Sequence, residues 1–186
     1  MKENYEIRMH SKSGQGAKTV GQFIAEAALS QGKFVQAYAE FGAERIGAPM
    51  VAFARISEKP IKTHAPVMEP DMIMVFDETL MALPATITGL KDDGIILINT
   101  TKKKDAFKIK AKAKICTIDA TKIAIDSLGE ARPNMPMLGA FAKLTGAIEI
   151  KAAARSIHDK WVKKLGAEKA AANEKALNEG YKAVKL

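Results

Sequence analysis

Residues 5–32 read YEIRMHSKSGQGAKTVGQFIAEAALSQG, and this stretch decides the fold. Its first part alternates in polarity and predicts a strand, and its middle is a turn of small residues. Its last part has apolar residues three or four positions apart, the period of a helix with one apolar face. We expect this helix to end near Gly32, because glycine is favoured just after a helix C-terminus. An opening of strand, glycine turn and helix favours an α/β fold.

Later segments continue the alternation of strands and helices. Several runs are almost entirely apolar, which is typical of strands covered on both faces of a sheet. The strands expected from the pattern lie at 35–38, 50–56, 60–64, 72–77, 94–99 and 115–118. A helix is expected over 79–90, interrupted near Pro84. The sequence therefore predicts a largely parallel sheet that is covered on both faces.

The final third is expected to be helical. Apolar residues recur at helical spacing in two stripes, which are Ile150, Ala154, Ile157 and Trp161, and then Leu177, Tyr181 and Val184. We predict one domain over 1–186, with C-terminal helices from about 148 to 186. The stripes fit either the domain's own core or a neighbouring subunit.

Composition excludes some kinds of protein. Cys116 is the one cysteine of 186 residues, so neither an intrachain disulfide nor an iron–sulfur cluster with four cysteine ligands can form. A lone thiol favours a reducing cytoplasm. We find no signal peptide and no apolar run of the roughly 20 residues that a membrane span needs. The net charge of +8 indicates anionic partners such as acidic proteins, phosphorylated cofactors or nucleic acid.

The glycine turn, Gly14-Gln15-Gly16, lies where a strand meets a helix N-terminus. Backbone N–H groups at such a place suit an anionic phosphate, although small residues are also required there for packing alone. A dinucleotide fingerprint would need glycine at position 19, where Thr19 stands. Glu40 is placed to bind a ribose, so a stand-alone NAD(P)-binding protein remains an alternative.

Two other segments carry charge. Glu44 and Arg45 lie in a glycine-rich loop and suit a partner chain or a substrate carboxylate, or simply a solvated connection. Lysines crowd residues 102–114, where they protect a sheet edge or bind an acidic protein or nucleic acid. Phe107 is the one aromatic residue among them, and a single ring argues against binding of single strands, whose bases stack on several rings. His10 and Cys116 are expected to be structural.

Three ordered segments together resemble a known family. They are Ser13–Ala17, Phe41–Pro49 and Asn134–Ala140, and Pro70-Asp71 before a buried strand fits the same pattern. Over about residues 5–146 the chain resembles the gamma subunits of pyruvate and related 2-oxoacid:ferredoxin oxidoreductases. The loop from Gly42 to Pro49 is more similar to pyruvate or branched-chain members than to 2-oxoglutarate members.

The resemblance implies a Rossmann-like three-layer α/β/α sandwich in a multi-subunit enzyme. Such an enzyme decarboxylates a 2-oxoacid, most simply pyruvate, to acyl-CoA and CO2, and passes electrons to ferredoxin. It uses thiamine diphosphate, Mg²⁺, iron–sulfur clusters and coenzyme A. The residues that it places nearest the coenzyme A phosphates are Ser13, Gly14, Gln15, Gly16 and Ala17. The residues that it places toward partner chains are Phe41, Glu44, Arg45 and Asn134.

The residue inventory agrees that the catalytic groups lie elsewhere. No Gly-Asp-Gly segment occurs to hold thiamine diphosphate and Mg²⁺, and the single cysteine cannot hold a cluster. We therefore expect no catalytic residue and no metal ligand here, and an inactive isolated chain. The expected partners are thiamine diphosphate-binding and iron–sulfur subunits, with ferredoxin reached through the complex. Neither nucleic acid nor a membrane is expected as a partner.

Overall fold

A computed structural model describes residues 4–41, 47–109 and 112–185. The strands are β1 (Asn4–Lys12), β2 (Phe34–Phe41), β3 (Pro49–Ser57), β4 (Met72–Val75), β5 (Ile95–Asn99) and β6 (Lys114–Ile118). The α-helices are α1 (Ala17–Ser30), α2 (Ala120–Leu128), α3 (Asn134–Thr145), α4 (Ile150–Leu165) and α5 (Ala167–Ala183). Short 3₁₀ helices lie at Glu78–Ala82, Pro84–Thr86 and Lys104–Ala106.

The strands form one sheet in the order β2-β3-β1-β4-β5-β6. β1, β4, β5 and β6 pair in parallel, whereas β3 is antiparallel to both of its neighbours, β1 and β2. Every other strand therefore runs in the direction opposite to β3. The expected α/β class with a largely parallel sheet is confirmed.

All five α-helices pack on one face of the sheet. Alternate side chains of the strands, such as Met9, Met74 and Leu97, join a buried apolar cluster with α1 and α3–α5. Within it, Phe23 of α1 meets the ring of Trp161 of α4 edge-on, with 5.0 Å between centroids. Full burial of a side chain such as Met9 or Phe23 contributes about 2 kcal/mol to stability.

The opposite face is covered by 3₁₀ helices and loops, so the layer of the expected three-layer sandwich on this side contains no α-helix among the described residues. Ile73, Val75, Ile96 and Ile98 turn toward it and pack with Leu80 and its neighbours. We expected an interrupted helix over 79–90, and the chain forms two 3₁₀ helices there. Pro84 lacks the N–H that an α-helix would use, and Gly89 follows with a φ of 78°, so the segment cannot continue as an α-helix.

The helical C-terminal third is confirmed, and it covers the chain's own core. α5 buries Ala170, Ala176, Leu177 and Gly180, and Leu177 belongs to the same apolar cluster as the strands. The two stripes, one through Trp161 and one through Tyr181, thus have apolar partners within this chain. No helix in the described part of the chain is long and apolar enough to cross a membrane.

One expected strand, at residues 60–64, was predicted wrongly. Residues 60–64 pair with no strand, although Gln36 Nε2 donates to the carbonyl oxygen of Thr63 at 3.0 Å. Of the lysine-rich stretch, strand structure begins only at Lys114. Phe107 and Ile109 instead fold back onto the non-helical face, and residues 110 and 111 lie outside the described residues.

Candidate functional site

The carboxyl ends of β1 and β4 define a crevice. After β1 the chain crosses to β2 over the helical face through α1, whereas after β4 it crosses to β5 over the opposite face. The two connections leave in opposite directions, so they cannot cover the space between them. Ligands of open α/β sheets bind at such a reversal.

The glycine turn forms one wall of this crevice. Gly14 and Gly16 have φ values of 98° and 86°, which side chains other than glycine rarely adopt. The turn is closed by Gln15 N–H donating to Lys12 O at 3.1 Å and is tied to the start of β3 by Ser13 N–H donating to Ala48 O at 2.9 Å. The backbone is therefore held in one shape, with Gly14 exposed at its tip.

Gly16 is the N-cap residue of α1 and supplies no side-chain cap. The carbonyl oxygen of Gly16 accepts the first helical hydrogen bond, from Val20 N–H at 3.0 Å. The helix N-terminus carries a partial positive charge, and Lys18 in the first turn adds a full one. This end of α1 therefore favours an anion.

Asp77 lies just after β4 and contacts the glycine turn, so it links the ends of β1 and β4. Its Oδ2 accepts a hydrogen bond from Gln15 Nε2 at 3.2 Å and lies 3.0 Å from Lys12 Nζ. Gln15 Oε1 in turn accepts from Lys12 N–H at 2.8 Å. Burial raises the pKa of the Asp77 carboxyl, but hydrogen bonds from Thr79 and Lys12 outweigh it and hold the pKa below its usual range. Asp77 is thus an anion whose charge Lys12 compensates.

Asn134 packs its side chain against the glycine turn at Gly16. It is the first residue of α3 and is 4% exposed, and its Oδ1 accepts from Met135 N–H at 2.9 Å. A Cβ atom at Gly16 would lie 2.9 Å from the Asn134 side chain. Glycine is required at position 16 for this close approach as well as for its φ angle. The first and third segments of the sequence pattern, Ser13–Ala17 and Asn134–Ala140, therefore meet here.

A separate hollow of about 490 Å³ lies at the carboxyl ends of β5 and β6. Glu78 lies 2.7 Å from Lys102 Nζ and accepts from the Thr100 hydroxyl. These contacts, chiefly the one from Lys102, lower the pKa of the Glu78 carboxyl. Asn99 Nδ2 donates to Phe76 O at 2.9 Å and to Thr121 Oγ1 at 2.8 Å, which joins β4, β5 and the start of α2.

The structure brings some predicted site residues together and leaves others undescribed. Residues 13–17 form the turn, and Asn134 lies against it. Glu44 and Arg45, together with the side chain of Phe41, lie outside the described residues. Lys12 and Asp77 were not singled out from the sequence. The one signal that could have indicated them as site residues is a polar residue at the end of a predicted strand, and both residues have it.

Glu40 is poorly placed for the dinucleotide alternative. In a dinucleotide fold the acidic residue ends the strand next to β1. Here β3 lies between β1 and β2, so exposed Glu40 on β2 is one strand further from the glycine turn. His10 is buried within the sheet, and we find no group of three metal-binding side chains among residues 4–41, 47–109 and 112–185.

Comparison with known proteins agrees with this geometry. Residues 6–183 match the family described as pyruvate ferredoxin/flavodoxin oxidoreductase. The chain belongs to this family. It is 46% identical to the pyruvate synthase subunit PorC of Thermotoga maritima, over 99% of this chain and 96% of the relative. It is 43% identical to the common gamma subunit of the pyruvate/ketoisovalerate oxidoreductases of Pyrococcus abyssi, over 97% of each chain.

Solved structures of family members share the fold. The crystal structure of the pyruvate oxidoreductase subunit PORC of Thermotoga maritima matches with a TM-score of 0.89 and 44% identity, over 99% of this chain and 98% of that one. The 2-oxoglutarate:ferredoxin oxidoreductase of Magnetococcus marinus matches at 24% identity with a TM-score of 0.80. There the whole fold occupies 31% of a longer chain, so it also occurs fused to other parts.

The family resemblance seen in the sequence is confirmed. The homologues of this oxidoreductase family member are gamma subunits of pyruvate synthase and of 2-oxoacid:ferredoxin oxidoreductases. The matches span nearly the whole chain, including α4 and α5, for which the sequence alone offered no recognisable motif.

Proposed function

We propose that this chain is the gamma subunit of a multi-subunit pyruvate:ferredoxin oxidoreductase. One observation carries the proposal, the 46% identity to a pyruvate synthase subunit over 99% of this chain. The complex would convert pyruvate and coenzyme A to acetyl-CoA and CO2 and pass two electrons to ferredoxin. Thiamine diphosphate, Mg²⁺ and iron–sulfur clusters would be held by other subunits. This chain has no Gly-Asp-Gly segment for thiamine diphosphate and Mg²⁺, and its one cysteine is buried and cannot hold a cluster alone.

Within this proposal, Ser13, Gly14, Gln15, Gly16 and Ala17 bind the phosphate groups of coenzyme A. The turn fits an anion because its backbone is fixed by two hydrogen bonds, Gly14 has no atom within 4 Å of an added Cβ, and α1 has no side-chain cap. The Asp77 carboxylate would repel a phosphate, but its ion pair with Lys12 offsets that charge. When bound, coenzyme A supplies the thiol that accepts the acyl group.

The same proposal assigns Phe41, Glu44 and Arg45 to contacts with the partner chains. They precede Gly47 and Ala48, and Ala48 O accepts from Ser13 N–H, so a partner bound there would act directly on the glycine turn. Asn134 belongs to this group through the turn that it supports, because its side chain lies against Gly16.

Charge reversal at Lys18 tests the phosphate assignment in the assembled enzyme. Lys18→Glu places a negative charge in the first turn of α1, and we expect the KM for coenzyme A to rise about tenfold while the KM for pyruvate stays the same. Lys169→Glu is the matched control, because Lys169 is exposed in the first turn of α5. An unchanged KM for coenzyme A in the Lys18 variant would contradict the assignment and leave the subunit proposal standing.

A further inference from the structure

The open edge of the sheet at β6 has backbone groups available for another strand. Among the described residues, β6 pairs with β5 alone. Lys114 N–H donates to Gly94 O and Ile118 O accepts from Thr100 N–H, both at 2.9 Å, so residues 114 and 118 turn their backbone toward β5. Because these directions alternate along a strand, Ile115 and Thr117 direct their N–H and C=O groups outward.

A groove of about 1200 Å³ runs along this edge. One wall is the segment before and after the 3₁₀ helix at Lys104–Ala106, including Phe107. The other wall is α2, through Ile123, and the end of α5. Apolar side chains from both walls line the space beside Ile115. Within the described ranges, the groove therefore offers an apolar lining and backbone groups that pair with no other strand, which is what an added strand requires.

The groove is strongly basic. Six lysines line it against three aspartates. Lys122 pairs with Asp126 at 2.8 Å and Lys102 pairs with Glu78 at 2.7 Å. The remaining lysines of the lining have no ion pair within the described ranges; they are Lys103, Lys104, Lys114 and Lys185. An occupant of this groove must therefore bring negative charge.

The charge also decides against a second copy of this chain. Edge-to-edge pairing of two copies would bring the same lysines together, and lysine on an edge strand prevents such pairing. An acidic strand meets no such repulsion. The same lysines that keep the protein from associating with itself thus select for a partner of opposite charge.

We propose that the groove along β6 binds an extended, acidic segment of another polypeptide, which adds to the sheet as a seventh strand. The outward N–H and C=O groups of Ile115 and Thr117 hold its backbone. Lys103, Lys104, Lys114 and Lys185 pair with its acidic side chains. This site lies at the sheet edge and is separate from the glycine turn, so it stands independently of the proposed oxidoreductase role.

Fluorescence anisotropy with a labelled probe peptide tests the proposal. The probe is a capped nonapeptide of alternating Glu and Val, and the peptide of alternating Lys and Val is its charge-reversed control. The full-length chain is expected to bind the Glu peptide and not the Lys peptide. Failure to bind the Glu peptide would overturn the proposal, as would tighter binding of a single-stranded oligonucleotide, which would make this a nucleic-acid site.

Two pairs of variants separate strand addition from simple charge attraction. Thr117→Pro removes an outward N–H and no bond to β5, whereas Thr117→Val keeps the N–H. The double variant Lys103→Glu, Lys104→Glu reverses the charge at two positions of the groove lining. The double variant Lys163→Glu, Lys164→Glu makes the same change of charge at the exposed end of α4. The first member of each pair is expected to bind the Glu peptide at least tenfold more weakly than the wild type. The second member is expected to bind it as tightly as the wild type. Equal weakening in both members of a pair would overturn the proposal.

Hydrogen exchange on the wild-type chain keeps the test independent of variant folding. Bound peptide is expected to slow exchange of the Ile115 and Thr117 amides by at least tenfold. Binding of the peptide without this protection would show that it does not join the sheet, and the proposal would fail.

Discussion

Arg8 and His10 are buried polar side chains on the non-helical face of β1, each 8% exposed. Arg8 Nε donates to His10 Nε2 at 3.1 Å, and its terminal nitrogens donate to carbonyl oxygens of Val67, Thr86 and Thr88. Arg8 therefore fastens two loops to the sheet. His10 accepts a hydrogen bond through the nitrogen that protonation would occupy, so it must stay neutral for this contact.

The neutral state of His10 predicts a loss of stability in acid. Burial, and then the charge of Arg8, lower the pKa of His10 from 6.5 to about 4. Between these values the unfolded chain binds a proton that the folded chain does not, so the free energy of unfolding falls as the pH drops from 6.5 to 4. The loss from this one residue is about 3 kcal/mol.

His10→Gln checks this prediction, because glutamine keeps an acceptor for Arg8 and does not titrate. We expect the variant to lose less stability than the wild type between pH 6.5 and pH 4 in urea denaturation. Parallel curves for the two proteins over that range would show that His10 is not the group responsible. Acidic side chains titrate alike in both proteins and cancel in the difference.

At the scale of elements, the helical face depends on the close crossing of α3 and α5. A Cβ atom at Gly139 would lie 1.9 Å from Leu177 O, and one at Gly180 would lie 2.1 Å from Pro136 O. The two backbones are thus in direct contact at both glycines, and any side chain there must push the helices apart. This crossing is what holds α5 on the core.

Gly139→Ala is expected to destabilise the chain by about 3 kcal/mol, since overpacking against backbone cannot be relieved by a rotamer change. For a chain of this size the melting temperature should fall by roughly 10 °C. Gly129→Ala is the control, because Gly129 has a φ of 69° but no atom within 4 Å of an added Cβ. It should cost only about 1 kcal/mol. Equal losses in the two variants would show that the crossing is looser than described.

The elements could be predicted from sequence where their signal is local. The apolar runs that became β4, β5 and β6 and the spacing of Val20, Phe23 and Ile24 in α1 identify their elements correctly. The 3₁₀ helices after β4 were missed because the apolar pattern of 79–90 favours a helix while Pro84 prevents one. Residues 60–64 were predicted wrongly as a strand, since a short extended run does not by itself specify a neighbouring strand.

The site needed contacts that are distant in sequence. Residues 13–17 were recognised from their glycines, but the pairing of Gln15 with Asp77 spans 62 positions, and no local pattern predicts it. The insertion of β3 between β1 and β2, which moves Glu40 away from the turn, also follows only from the order of the strands. Which residues form the site could thus be predicted in part, and how they meet could not.

For the whole molecule, the homologues are subunits of larger oxidoreductases. One end of the sheet carries a glycine turn suited to an anion, and one edge carries a basic groove. Among the described residues neither place holds a group of three side chains that could bind a metal ion together, and the thiol of Cys116, which lines the groove, is buried. In the proposed function this chain would position coenzyme A and join other chains, which would supply the remaining groups of the reaction.

Purification of the tagged chain from its native host under gentle lysis, with mass spectrometry of the associated proteins, tests the subunit proposal most directly. We predict recovery of one chain with a Gly-Asp-Gly segment and another rich in cysteine, in a preparation that reduces a redox dye only when pyruvate and coenzyme A are both present. Recovery of the chain alone, with binding of NAD and no such activity, would contradict the proposal.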